Sequence, residues 1–335
     1  MFKDAHLESF RGDVQRRVDK YNGFKKTICE AEGSLEKFAD GYKFFGWSRL
    51  DDPAKDGGWV FREWLPNAHE VFLMGDFNNW NRRSHALTRE EFGRWSILLK
   101  DNDDGTWAIS HRSKYRMVVR SGNGAEVDRV PAYATLVWQN STTYMFDAVF
   151  WQPSAEEKYV ARFEKPIRPA GLKVYECHVG MSGISPKVHT YREFKDCVLP
   201  RVARLGYNAI QIMAIQEHAH YGSFGYHVTS FFAPSSRQGT PEELKELIDA
   251  AHGQGILVLC DIVHSHMSSN VMDGIAALDG SDHCYSHSGP RGHHKLWDST
   301  LFDYSKWEVV KWVFFILIFS ISLKVLDVQR EVLDV

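Results

Sequence analysis

The sequence predicts a multidomain α/β plus all-β chain, and three changes of rhythm predict that class. Apolar residues at helical spacing open the chain, short period-2 strands follow from about 57 to 150, and strand–helix–strand units run from 172 onward. At 335 residues the chain exceeds what one hydrophobic core usefully organises. The boundaries read as a helical segment at 1–45, a β-sandwich at 46–150, a linker at 151–169, parallel α/β units at 170–311 and an apolar tail at 312–335.

Each element has its own signal. Leu7, Phe10, Val14, Val18 and Tyr21 recur at three- and four-residue steps, one face of a helix over the first 22 residues. A second short amphipathic segment follows, closed by Gly41 to Gly46. Strands are expected at 58–64, 70–77, 94–100 and 114–120, separated by Asn-Asn, Asp-Asp-Gly and Gly-Asn-Gly turns, the spacing of a sandwich. Residues 152–169 form a polar, Pro-flanked linker. Then come a strand at 172–177, a helix at 191–205 and a strand at 209–214. Thr240 as N-cap, Pro241 at the first helical position and Glu243 at the third start a helix that runs to about 254. The strand ending in Asp261 follows. Three such units predict a parallel sheet, either a barrel or a doubly wound fold.

Composition narrows the function. The chain is 44% hydrophobic and 25% charged with a net charge of −3, which supplies no basic face for nucleic acid. Aromatics are plentiful, with 11 Trp, 13 Tyr and 21 Phe; such rings stack on sugars, although most are core in any protein. The five cysteines (Cys29, Cys177, Cys197, Cys260, Cys284) lack CxxC spacing, and two sit in apolar runs. A reducing compartment, the cytoplasm, is expected, and the first residues hold no signal peptide. The apolar run 312–323, bounded by Lys311 and Lys324, spans roughly 18 Å as a helix against a ~30 Å hydrocarbon core, so no membrane partner is expected.

The most informative run is 257–266. It begins as a buried strand and ends abruptly in Asp261, His264 and His266, and in a β/α barrel that end gathers the functional groups. His264 and His266 alternate along an extended segment and could share a metal. No HExxH or cysteine pairing accompanies them, so no metal is assigned.

Asp261-Ile262-Val263-His264-Ser265-His266 resembles the first signature of the α-amylase family of glycoside hydrolases, in its branching-enzyme form. Further segments resemble eukaryotic glycogen and starch branching enzymes. They are Trp64-Leu65-Pro66, the run 72–80 ending in Trp80, Tyr175-Glu176-Cys177-His178-Val179-Gly180, Gly222-Ser223-Phe224-Gly225-Tyr226, His287-Ser288-Gly289-Pro290-Arg291-Gly292 and Leu296-Trp297-Asp298-Ser299. The resemblance covers nearly the whole chain to about Lys311. It implies that the sandwich is a carbohydrate-binding module and that the α/β part is the first half of a (β/α)8 TIM barrel.

The activity it implies is cleavage of an α-1,4-glucan and transfer of the segment to a 6-hydroxyl, by retaining double displacement between two carboxyls ~5 Å apart. Glycogen or another α-1,4-glucan is the implied partner, no cofactor is required, and a monomer is expected. Tyr226 matches the tyrosine that stacks on the sugar, His266 the histidine that hydrogen-bonds it, and Asp261 the aspartate that braces the site. Trp64, Pro66, Trp80, Phe92, Gly93, Arg94, Glu308 and Lys311 carry over as further substrate-binding positions. Taken without the resemblance, Trp64 and Trp80 read as sandwich core.

The chain departs from the family in three respects. His227 stands where the family has Gln. The G-F-R-x-D-G nucleophile motif and the acid's motif are both missing, so no catalytic residue is assigned; Asp327 and Asp334 have the wrong surroundings. Beyond Lys311 the apolar sequence departs from the family's amphipathic helix. The expectation is a C-terminal truncation, from a mispredicted or alternatively spliced transcript, that leaves half a barrel with an apolar face uncovered. The alternatives are a non-catalytic glucan-binding form and, less favoured, an amylase-type hydrolase.

Overall fold

Residues 5–50 and 57–322 are described by a computed structural model of the chain, with side chains for 6–50 and 57–316. A 3-10 turn at Ala5–Phe10 leads into helix α1 (Arg11–Glu32), and Gly33, at φ +91°, ends it by donating to the Cys29 carbonyl. Ser34 caps α2 (Leu35–Ala39), its hydroxyl accepting from the Lys37 amide at 3.1 Å. The period-based helix therefore forms, but it runs ten residues further than 22, and Leu7, Phe10, Val18 and Tyr21 remain exposed. Only Ile28 of α1 is buried, with Leu35 and Phe38 and against Trp307, Val310 and Phe314.

The sandwich follows: β1 (Gly46–Leu50), β2 (Gly58–Trp64), β3 (Ala68–Gly75), β4 (Thr88–Arg89), β5 (Arg94–Lys100), β6 (Lys114–Ser121), β7 (Glu126–Arg129), β8 (Val137–Gln139) and β9 (Phe146–Val149). One antiparallel sheet has the order β1-β2-β5-β4, and the other β3-β6-β9-β8 with β7 against β6. Alternation sets the core: Trp59, Phe61 and Glu63 of β2 turn inward, and Val71 and Leu73 pair with Val119 and Met117. Full burial of each such apolar side chain contributes about 1.5–3 kcal/mol. Glu63 is the exception, a buried carboxyl that accepts from the amides of Trp64 (2.9 Å) and Ala132 (2.8 Å). Burial outweighs those bonds and pushes it up to about 8.

The parallel units are β10 (Val174–Cys177), α3 (Tyr191–Glu193), α4 (Leu199–Arg204), β11 (Ala209–Ile212), β12 (Gln216–Glu217), β13 (Ser230–Pro234), α5 (Pro241–Gly253) and β14 (Leu257–Cys260). Strands β10, β11 and β14 pair in parallel in that order, with Cys177 beside Ile212 and Ile212 beside Cys260. One face of this sheet packs Ile210, Ile212 and Val258 on Leu199, Val202, Leu244, Leu247 and Ile248 of the helices. Val174 and Glu176 on the other face are exposed, and Glu176 accepts from Gln211 there at 3.1 Å. The capping box at Thr240 and Glu243 starts α5. The helix expected over 191–205 is instead split by a π-turn at Phe194–Val198. Pro200 lacks the amide that would continue the α-helical ladder, and the chain widens ahead of it.

After β14 the chain makes an excursion through β15 (His266–Ser268), β16 (His293–His294) and β17 (Ser299–Leu301), a small antiparallel sheet, and enters α6 (Trp307–Ser322). The apolar stretch after Lys311 packs inward as far as it is described. Residues 312–316 continue the helix, and Trp312, Phe315 and Ile316 are fully buried in the core shared by the sandwich and the α/β part. Asn67 of the sandwich also donates its amide (3.0 Å) and its side chain (2.9 Å) to Asp279 beyond β15. Asp327 and Asp334 lie outside the described residues.

Candidate functional site

Two groups of the expected residues come together. The first lies where β14 ends. The Asp261 amide still donates to the Ile212 carbonyl at 3.0 Å, so the sheet aims the residue before the chain turns away. Tyr226 reaches it from the loop after the Tyr221–Ser223 turn and donates its hydroxyl to Asp261 Oδ2 at 2.8 Å. That loop depends on Gly225 at φ +95°, where a Cβ would stand 2.0 Å from the Ala214 carbonyl oxygen. Burial, then the hydrogen bond to Asp261, then the charges of Asp261 and Glu176 push the Tyr226 phenol up to about 12. It is a donor at any working pH.

His266 lies on β15, next to His227, the residue that follows Tyr226. It is buried, edge-on to His227 at 6.2 Å and tilted against Trp297 at 5.3 Å. Burial, helped by His227 and His294, lowers its pKa and keeps the ring neutral. Its Nδ1 is buried and has no hydrogen-bond partner among the described residues. Gln216 stiffens the strand end by accepting from the Val263 amide (2.9 Å) and donating to Phe231 (3.0 Å). His264 is exposed where His266 is buried, so the two do not face one site. No group of three His, Cys, Asp or Glu among the described residues is placed to hold a metal ion. A carboxylate, a phenol and a neutral imidazole at one strand end suit a ring carrying several hydroxyls.

The second group lies on the sandwich. The structure corrects Trp64, which is 6% exposed, edge-on to Tyr285 at 5.2 Å, and offers no face to a sugar. Its indole N–H donates to the Phe92 carbonyl at 3.0 Å and so holds the turn beside it. Phe92, at φ +60°, projects from that turn with 75% exposure. A Cβ on Gly93 would lie 2.5 Å from Pro66 Cα, so glycine permits the turn to close on Pro66. The Arg94 guanidinium lies 5.7 Å from the rings of both Phe92 and Phe44.

Glu308 opens α6 nearby. Burial raises its pKa, opposed by the charges of Lys311 and Arg94. Lys311 itself is bound to Glu32 of α1 at 2.6 Å. Pro66 thus packs against the turn that carries Phe92, Gly93 and Arg94, with Glu308 within electrostatic reach of Arg94. Trp80 stands apart in the Asn-rich turn after β3, its indole N–H on Asp76 at 2.9 Å and its backbone at φ +58°. The sequence reading missed Trp297 as a neighbour of His266. A tryptophan in a polar turn, inside a quoted motif, was the available signal.

With this geometry in hand, comparison with known proteins is direct. The family Carbohydrate-binding module 48 (isoamylase N-terminal domain) matches residues 44–134, and Alpha amylase, catalytic domain, matches 198–334, beyond the point where the quoted motifs stop. The chain belongs to the α-amylase family, with a carbohydrate-binding module ahead of the catalytic-domain segment. Within that family it groups with the 1,4-alpha-glucan-branching enzymes. It is 51% identical to that of Dictyostelium discoideum, 49% identical to 1,4-alpha-glucan-branching enzyme 2-2 of Arabidopsis thaliana and 46% identical to that of Felis catus, each over 92% of this chain. It spans 45%, 38% and 44% of those relatives' lengths. Among solved structures, pullulanase from Anoxybacillus sp. LM18-11 complexed with maltotetraose superimposes with a TM-score of 0.65 at 19% identity, covering 88% of this chain and 46% of that one. Pullulanase from Bacillus acidopullulyticus gives 0.64 at 20%, over 84% and 37%. These two likenesses speak for the fold.

Proposed function

We propose that the protein serves α-1,4-glucan branching and that these 335 residues supply the glucan-holding part of that reaction. The observation that carries it is the Tyr226–Asp261 pair at the end of a parallel strand, with neutral His266 on the strand that follows, behind a carbohydrate-binding module. In this reading Tyr226 offers its ring to the sugar at the cleavage point, His266 hydrogen-bonds that sugar, and Asp261 braces both. Pro66, Phe92, Gly93, Arg94, Glu308 and Lys311 hold a second stretch of glucan on the sandwich side, and Trp80, apart from them, offers a separate glucan contact.

Double displacement needs a nucleophilic and a proton-donating carboxyl flanking the bond. The sequence contains no G-F-R-x-D-G motif, so this chain by itself binds glucan without transferring it. Scattered thiols that form no disulfide among the described residues favour the cytosol. No described helix is long and apolar enough to cross a membrane. We take the protein to act as a monomer.

Affinity electrophoresis in glycogen, paired with iodine staining of amylose, tests both halves. Retardation without an iodine shift is expected, and Tyr226→Ala and Asp261→Ala should each weaken retardation. An iodine shift above background would refute the non-catalytic assignment; absence of retardation would refute glucan binding.

A further inference from the structure

We propose that Trp297 is an additional sugar platform, extending the Tyr226–Asp261–His266 site along the glucan by one ring; this rests on the reading of that site as glucan-binding. Trp297 is 52% exposed and its neighbour Leu296 is 84% exposed, side by side in the turn between β16 and β17. Leaving a large apolar pair in water gives up burial that folding would otherwise gain, and such a pair marks a contact surface.

The indole is braced as a platform should be. His294 stacks on it at 4.3 Å between centroids with a 20° interplanar angle, and His294 Nδ1 accepts the Trp297 amide at 3.2 Å. That bond puts the imidazole proton on Nε2 and locks the ring under one indole face. Asp298, at φ +49°, fixes the turn, and its carbonyl accepts the Ser269 hydroxyl at 3.0 Å, tying the turn to the end of β15. The indole centroid is 5.3 Å from that of His266, so a glucan with one sugar at the strand-end site has its next ring within reach of the indole. The ligand is therefore an α-glucan of several residues, and its pyranose C–H face packs on the ring.

The test uses the whole chain labelled with 5-fluorotryptophan and 13C-histidine, titrated with maltoheptaose and read by NMR. The Trp297 fluorine signal is assigned from Trp297→Phe, and His266 reports the strand-end site. Saturable shifts of both signals with one Kd are expected. Trp297→Ala should weaken the His266-reported Kd about fivefold, and Trp297→Phe much less, since an aromatic face is worth of order 1 kcal/mol. Histidine signals remote from Trp297 at their wild-type positions show that the alanine variant is folded.

Three outcomes overturn the proposal. If His266 shifts and Trp297 does not, glucan binds at the strand end without the platform, and the functional reading stands. If Trp297 shifts while the alanine variant keeps the wild-type Kd, the ring is a bystander. If no tryptophan or histidine signal moves, the glucan-binding reading itself fails and takes the platform with it.

Discussion

Replacing Trp312 by alanine tests how firmly the apolar helix after Lys311 belongs to the fold. The side chain is fully buried, with ring centroids 4.8 Å from Phe231, 5.0 Å from Tyr285, 5.5 Å from Phe302 and 5.9 Å from Phe232. A buried tryptophan removes ~150–250 Å² from water, worth about 4–6 kcal/mol as an upper bound. Against that, the indole Nε1 is buried without a hydrogen-bond partner among the described residues, and deleting it recovers about 1–3 kcal/mol. Four aromatic rings cannot fully collapse into the gap, and the residual cavity restores part of the loss. The expected destabilisation is about 3–5 kcal/mol.

Trp312→Phe keeps most of the volume and discards the unpaired N–H, so it should cost less than about 1.5 kcal/mol. Urea unfolding followed by far-UV circular dichroism reads both variants. At a slope of ~3 kcal/mol/M, alanine should lower the midpoint by roughly 1 M or more. An alanine midpoint equal to wild type would mean that the helix is not docked. Equal losses for both variants would mean that the indole N–H has a partner.

The fold carries two further expectations. Glu63 is raised from 4.5 to about 8 by burial, so the native state keeps a proton that the unfolded chain has released. Its contribution is full below 4.5 and falls as pH rises through about 8; thermal unfolding should show stability declining across that window, and Glu63→Gln should flatten the decline. Thr240→Ala removes the hydroxyl that accepts the Glu243 amide at 3.3 Å and should cost α5 about 1 kcal/mol in urea unfolding, with Thr240→Ser near wild type.

Local chemistry made much of this legible. The Thr240-Pro241-x-Glu243 start of α5 needs only neighbours within one turn, and it forms as read. Period-2 runs gave the sandwich strands because each residue's face is set by its parity. The strand ending in Asp261 was visible because apolar residues give way to titratable ones within a single step. The split of the 191–205 helix at Pro200 was visible only as a proline, and the π-turn is a choice among local ladders that spacing does not distinguish.

What the sequence by itself determined is the order of elements, the family, and which residue types stand at the strand end, because periodicity, caps and motifs are properties of neighbours along the chain. Tertiary structure decided what each aromatic does. Trp64 is sealed under Tyr285 while Phe92, held by the same turn, stands in water. Leu7 and Phe10 of the first turn and Val18 and Tyr21 of α1 stay exposed, whereas Trp312, Phe315 and Ile316 of α6 are enclosed. Burial depends on surfaces brought together from distant segments, and no spacing along one segment specifies which surface will meet it.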